Sequence, residues 1–136
     1  MPTTALLQLA DERVQAIPAP EGPVVFVHGD MWPGNTVIVG GSVRALIDWK
    51  TAGVGNPGVD LGELRKQVAI LYGHDAPKCV LQGWEQASHA RAHDVPYWDA
   101  VAALNTPTES YSPFAADWAA RDGNVKAGAK AEASSR

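Results

Sequence analysis

Apolar and polar positions along this chain change rhythm several times, and each change marks a boundary. Between Ala5 and Ile17, Leu6, Leu9, Ala10, Arg13 and Ile17 fall at mixed helical spacing behind Thr3 or Thr4 as a cap, which predicts a helix. Pro18-Ala19-Pro20-Glu21-Gly22-Pro23 then breaks the pattern and forms a stiff linker. Val24-Val25-Phe26-Val27 is a continuous apolar run, the pattern of a strand buried on both faces. Two further short runs, Thr36 to Val39 and Val43 to Ile47, flank Gly40-Gly41-Ser42, where glycine's tolerance of positive φ predicts a hairpin. Thr51 to Gly58 reads as a glycine-rich loop.

Helical rhythm returns from Val59 to Tyr72, with Leu61, Leu64, Val68 and Leu71 three and four apart and Gly73 as the stop. Asp75 can cap a second helix over Ala76 to Ala90. Pro96 opens a third, Tyr97 to Leu104, with Trp98, Val101 and Leu104 on one side. Beyond Thr106 the pattern decays, and Gly123 to Arg136 is Ala, Gly, Ser and Lys, so a disordered tail is expected. The predicted class is α+β, a short β-hairpin packed among helices. Residues 1–23 form a helix and linker, 24–106 the core, and 107–136 the tail.

Composition narrows the class without changing it. At 136 residues, 46% apolar and 19% charged, the chain can bury one modest core. A net charge of −4 argues against nonspecific nucleic-acid binding, which needs a basic surface to displace counterions. The single cysteine, Cys79, cannot close an internal disulfide and reads as a small buried apolar group in a reducing compartment. Residues Met1 to Glu12 lack a signal-peptide pattern, and no apolar stretch approaches membrane-spanning length, so a cytoplasmic location with no membrane partner is expected. No internal repeat is visible.

The candidate chemistry is concentrated in one place. His28-Gly29-Asp30 is followed by Asn35, and Ile47-Asp48-Trp49 lies beyond the predicted hairpin. A turn centred on Gly41-Ser42, or a four-residue loop over Gly40 to Val43, sets Asn35 directly opposite Asp48. A turn at Gly40-Gly41 pairs Asn35 with Leu46 instead. In the first register an amide oxygen and a carboxylate lie close enough to share one cation. The sparse, hard oxygen set fits Mg²⁺, which takes one or two protein ligands plus substrate phosphates. Asp30, across a loop containing Pro33 and Gly34, can face the same cleft, orient an acceptor hydroxyl and receive its proton.

The ordered set His28-Gly29-Asp30-Met31-Trp32-Pro33-Gly34-Asn35, Ile47-Asp48-Trp49 and Asn56-Pro57-Gly58-Val59-Asp60-Leu61 resembles the aminoglycoside phosphotransferase and choline kinase-like family of small-molecule kinases, distant relatives of protein kinases. The resemblance runs from about Val24 to Leu104 and includes Tyr97-Trp98-Asp99. It implies a protein kinase-like C-terminal lobe, ATP as phosphoryl donor with Mg²⁺, and a small-molecule hydroxyl as acceptor. It further implies Asp30 as catalytic base, Asn35 and Asp48 as metal ligands, His28 as a brace of the catalytic loop, and Asp60 as a second brace on loop backbone. Trp32 and Trp49, beside these motifs, are candidates to line the acceptor cleft.

Two positions depart from the family pattern. Lys50 stands where an acid usually follows I-D-W, and Gly55-Asn56-Pro57 replaces the common G-D-P. Only 23 residues precede Val24, too few for the family's N-terminal lobe with its phosphate-holding lysine, so a C-terminal lobe without that partner is expected. The alternative reading is a non-catalytic module that binds or self-associates, as a homodimer, through the face a first lobe would cover.

Other motifs carry less. Gly53-Val54-Gly55-Asn56-Pro57-Gly58 matches a dinucleotide fingerprint in letters, but it begins five residues after the strand and lacks the downstream acid, so it reads as loop. His89 and His93 have zinc-pair spacing without an intervening glutamate base or a third ligand, and read as solvated. His74 reads as a linker residue.

Overall fold

The structure, a computed structural model, describes residues 4–105. The tail expected beyond Thr106 lies outside the described residues. Helix α1, Ala5–Gln15, begins at Thr4, whose Oγ1 accepts from Leu7 N at 3.3 Å. Its half-buried positions are Leu7, Ala10 and Val14, and it packs on the last helix. Leu6, Leu9 and Ile17, the apolar stripe read from the sequence, are exposed. Two interleaved stripes exist on this helix, and spacing alone does not choose between them.

Strand β1, Val25–Val27, does not have two buried faces. Only Val27 is buried, and Phe26 is 70% exposed. β1 pairs antiparallel with a single short strand where the sequence predicts a loop, here β4, Gly53–Gly55. No third strand joins them among the described residues. A continuous apolar run marks a strand but does not say what covers it.

Between them, β2 (Thr36–Val39) and β3 (Ser42–Leu46) form the hairpin. Gly40 and Gly41 make the turn with φ of 58° and 76°, the doubly positive conformation of a primed two-residue turn. Val39 pairs with Ser42 and Ile38 with Val43. A bulge then shifts the register, so that Val37 meets Ala45 and Thr36 meets Leu46. The next residue, Asn35, therefore lies across from Ile47, and Ile47 N donates to Asn35 O at 2.9 Å. The turn at Gly40-Gly41 excludes the register that sets Asp48 opposite Asn35, and the one inserted residue moves the partner of Asn35 from Leu46 to Ile47.

The core is helical. Helix α2, Gly58–Tyr72, buries Leu61 and Val68 and stops at Gly73, where φ is 95°. It packs against α3 (Ala76–Ser88) and α4 (Val95–Leu104). Arg65 ties the three together. Its guanidinium grips Asp99 of α4 through two hydrogen bonds at 2.9 and 3.0 Å and donates to Pro77 O of α3 at 2.7 Å. Asp75 occupies the N-cap position of α3 but makes no capping bond, and its carboxylate pairs with Lys78 instead. Cys79, expected inside, is exposed, on the lining of a cavity between α3, α2 and β1 that leaves it reachable by solvent.

Gly58 and Gly62, one turn apart on α2, form a notch for Trp98 of α4. A Cβ at Gly62 would lie 2.5 Å from Trp98 O and 2.8 Å from its carbonyl carbon, both backbone atoms with little room to yield. Gly62→Ala gains about 1 kcal/mol of helix propensity but forces α4 outward, an overpacking cost at the upper end of about 1–3 kcal/mol. A net loss of about 2 kcal/mol is expected, read as a lowered urea midpoint at unchanged slope. A midpoint at or above the parent value would show that the two helices separate freely.

Candidate functional site

The site is built on the loop that leaves β1. His28, 2% exposed, begins it. Its backbone N and that of Gly29 donate to the two carboxylate oxygens of Asp60, at 2.7 and 2.8 Å. Asp60 stands in the first turn of α2, where the positive end of the helix favours an acid. That turn is closed by Asn56, whose Oδ1 accepts from Gly58 N at 2.8 Å. The residue that departs from G-D-P thus keeps the acceptor the helix start requires. Gly29 has φ of 82°, and a Cβ there would collide with Thr51 O, so the loop needs glycine on two counts. Thr51 Oγ1 donates to His28 O at 3.2 Å.

From His28 a closed circuit of hydrogen bonds runs through the site. Asp30 N donates to His28 Nδ1 at 3.2 Å, and His28 Nε2 donates to Ile47 O at 2.8 Å. Because a backbone N–H can only donate and a carbonyl can only accept, the imidazole is the tautomer with its proton on Nε2. Ile47 N reaches Asn35 O, as described above. Asn35 then closes the ring, its Nδ2 donating to Asp30 O at 2.9 Å and to Asp30 Oδ2 at 3.1 Å.

This circuit decides how the buried Asn35 amide is turned. Two acceptors at one end make that end the NH₂, so Oδ1 is the other end, and no donor among the described residues meets it. Asp30 keeps Oδ1 in the same condition, with its Oδ2 held by Asn35. The structure thus joins Asp30, Asn35 and His28 directly. Asp48 follows Ile47 in the chain and makes no hydrogen bond to Asp30 or Asn35. Its backbone is left-handed, with φ of 61°, which takes the chain out of β3's extended direction. Its carboxylate pairs with Lys50 Nζ at 3.3 Å.

An amide oxygen just before β2 and a carboxylate just after β3 are hard donors of the kind a small divalent cation takes. Among the described residues no group of three or more His, Cys, Asp or Glu side chains is placed to hold a metal ion. The set of one amide and one acid is the sparse kind that leaves most positions to water and phosphate.

The tryptophans fall differently from one another. Trp49 stacks on Phe26 with ring centres 5.8 Å apart, tilts over His28 at 4.5 Å, and donates Nε1–H to Leu46 O at 2.9 Å. It roofs the imidazole. Trp32 folds over Gly34, whose missing side chain makes the room. An apolar cavity of about 390 Å³, lined by Val25, Val27, Leu61, Leu64, Val80 and Trp84, meets this group through Phe26 and Asp60. Thr51, the Ile47 backbone and the capping role of Asn56 were not read from the sequence. Thr51 and Ile47 act through a hydroxyl and main-chain atoms that any sequence of this type would carry, whereas Asn56 ahead of a helix was a legible cap signal.

No helix among the described residues is long and apolar enough to cross a membrane. Residues 3–104 match the family model described as "Phosphotransferase enzyme family". A search of curated proteins returned no match.

Proposed function

Since the chain belongs to the phosphotransferase enzyme family, we propose that it transfers the γ-phosphoryl group of ATP to a hydroxyl of a small molecule, in the manner of the aminoglycoside phosphotransferases. The observation that carries this reading is the hydrogen-bond circuit through His28, Asp30, Asn35 and Ile47. It leaves one oxygen of Asn35 and one of Asp30 without donors among the described residues while holding the other end of each side chain fixed.

Each residue then has a task its geometry suits. Asp30 Oδ1 orients the acceptor hydroxyl and takes its proton. Asn35 Oδ1 and the Asp48 carboxylate hold Mg²⁺, which when bound neutralises charge on the donor phosphates. His28, Thr51 and Asp60 hold the loop in one conformation before substrate arrives. That prepaid order is worth much in a transfer whose catalysis is mostly placement and charge.

The test is titration of the purified chain with Mg·ATP by calorimetry, alongside Asp48→Ala. Loss of an outer-sphere partner typically weakens metal affinity about 10–100-fold, so removing a direct ligand should weaken binding by more than about 100-fold. Equal affinity in the two proteins would overturn the assignment of Asp48.

A further inference from the structure

We propose that Lys50 is the resident counterion of Asp48 and sets a low affinity of the site for a bare divalent cation. The inference rests on the reading of Asp48 as a metal ligand. Lys50 Nζ lies 3.3 Å from Asp48 Oδ2, on the carboxylate assigned to the ion. Neither side chain has another charged partner among the described residues. The left-handed turn at Asp48 departs from the strand, and the residue two positions on reaches back to it.

The pair is open to solvent, with the lysine side chain 72% and the aspartate side chain 39% exposed. Exposed pairs of this kind add little to folding and exchange readily. They still matter to a third charge. An ammonium about 6 Å from a doubly charged ion, in water-like surroundings, opposes its binding by a factor on the order of ten. Lys50 therefore competes for the oxygen and also repels the ion. An acid at position 50 would reverse the sign of that field while leaving the ligand in place.

The experiment uses the full chain at low ionic strength, with Mn²⁺ alone as the probe and free Mn²⁺ followed by electron paramagnetic resonance. Lys50→Met is expected to bind Mn²⁺ roughly three- to tenfold tighter than the parent, Lys50→Glu tighter still, and Lys50→Arg, which restores the charge, like the parent. The gain should shrink as salt is added. Asp48→Asn should abolish binding in every background. Two failures are distinguishable. If Mn²⁺ binds through Asp48 but Lys50→Met binds no tighter, the role of Lys50 falls and the metal site stands. If Mn²⁺ binds none of the proteins, or binds equally after Asp48→Asn, the metal site falls and the role of Lys50 falls with it.

Discussion

Asp30→Asn is expected to lower acceptor-dependent ADP release by about 10²–10⁴-fold, equivalent to about 3–5 kcal/mol of barrier, while stability stays within about 0.5 kcal/mol of the parent. The two halves of this expectation come from different atoms. Asp30 Oδ2 accepts from Asn35 Nδ2 at 3.1 Å, and an asparagine can turn its carbonyl oxygen to that position and keep the bond. The backbone bonds of residue 30, from its N to His28 Nδ1 and to its O from Asn35, do not involve the side chain. What the amide cannot do is receive a proton at neutral pH. Initial rates with a panel of hydroxylated small molecules, paired with urea unfolding, separate the effects. A variant that keeps more than about a tenth of the rate would remove Asp30 from the role of base.

The contrast between what was and was not legible in the sequence follows from how local each determinant is. Helix α2 was legible because Leu61, Leu64, Val68 and Leu71 repeat the helical period and Gly73 supplies the stop, all within 15 residues. The hairpin was legible from Gly40 and Gly41, since two adjacent positive φ values have few other solutions. The register was not. It depends on one extra residue on β3 opposite the Val37–Ile38 step, and neither pattern nor composition marks a bulge there. That residue displaces the partner of Asn35 to Ile47, so Asn35 and Asp48 are not facing residues of the hairpin.

Burial was less legible than secondary structure. Val25 and Phe26 have the composition of a covered strand, and Cys79 the usual preference of a thiol, yet all three are exposed. Each depends on what packs against an element, a property of the assembled fold. The same holds for Gly62, whose value lies in the approach of Trp98 from 36 positions away. Within the site, the ordered motif singled out Asp30, Asn35 and Asp48. The circuit that orients the amide passes through main-chain atoms of Ile47 and Asp30, on which sequence is silent.

Asp60→Ala should be the most destabilising single change at the site, costing about 3 kcal/mol. The carboxylate takes two short hydrogen bonds from consecutive amides, His28 N at 2.7 Å and Gly29 N at 2.8 Å. Bonds to a charged group are worth about 1.5–3 kcal/mol each, and the loss is deepest where the freed amide is out of reach of water. Gly29 is exposed and can be rehydrated, so most of the cost falls at the buried His28. Removal also takes an acid from the first turn of α2, a further few tenths of a kcal/mol to about 1. Asp60→Asn keeps one acceptor oxygen and should lose about half as much. Because Asp60 touches the loop and not the open oxygens of Asp30 and Asn35, its loss is expected to reduce activity through loop position, with the Mn²⁺ affinity of Asp48 changing less than turnover. Urea unfolding of Asp60→Ala, Asp60→Asn and Asp30→Asn side by side orders the three. Should Asp30→Asn prove the least stable of them, the load-carrying acid of the loop would be Asp30, and the separation between a supporting and a reacting carboxylate would have to be reversed.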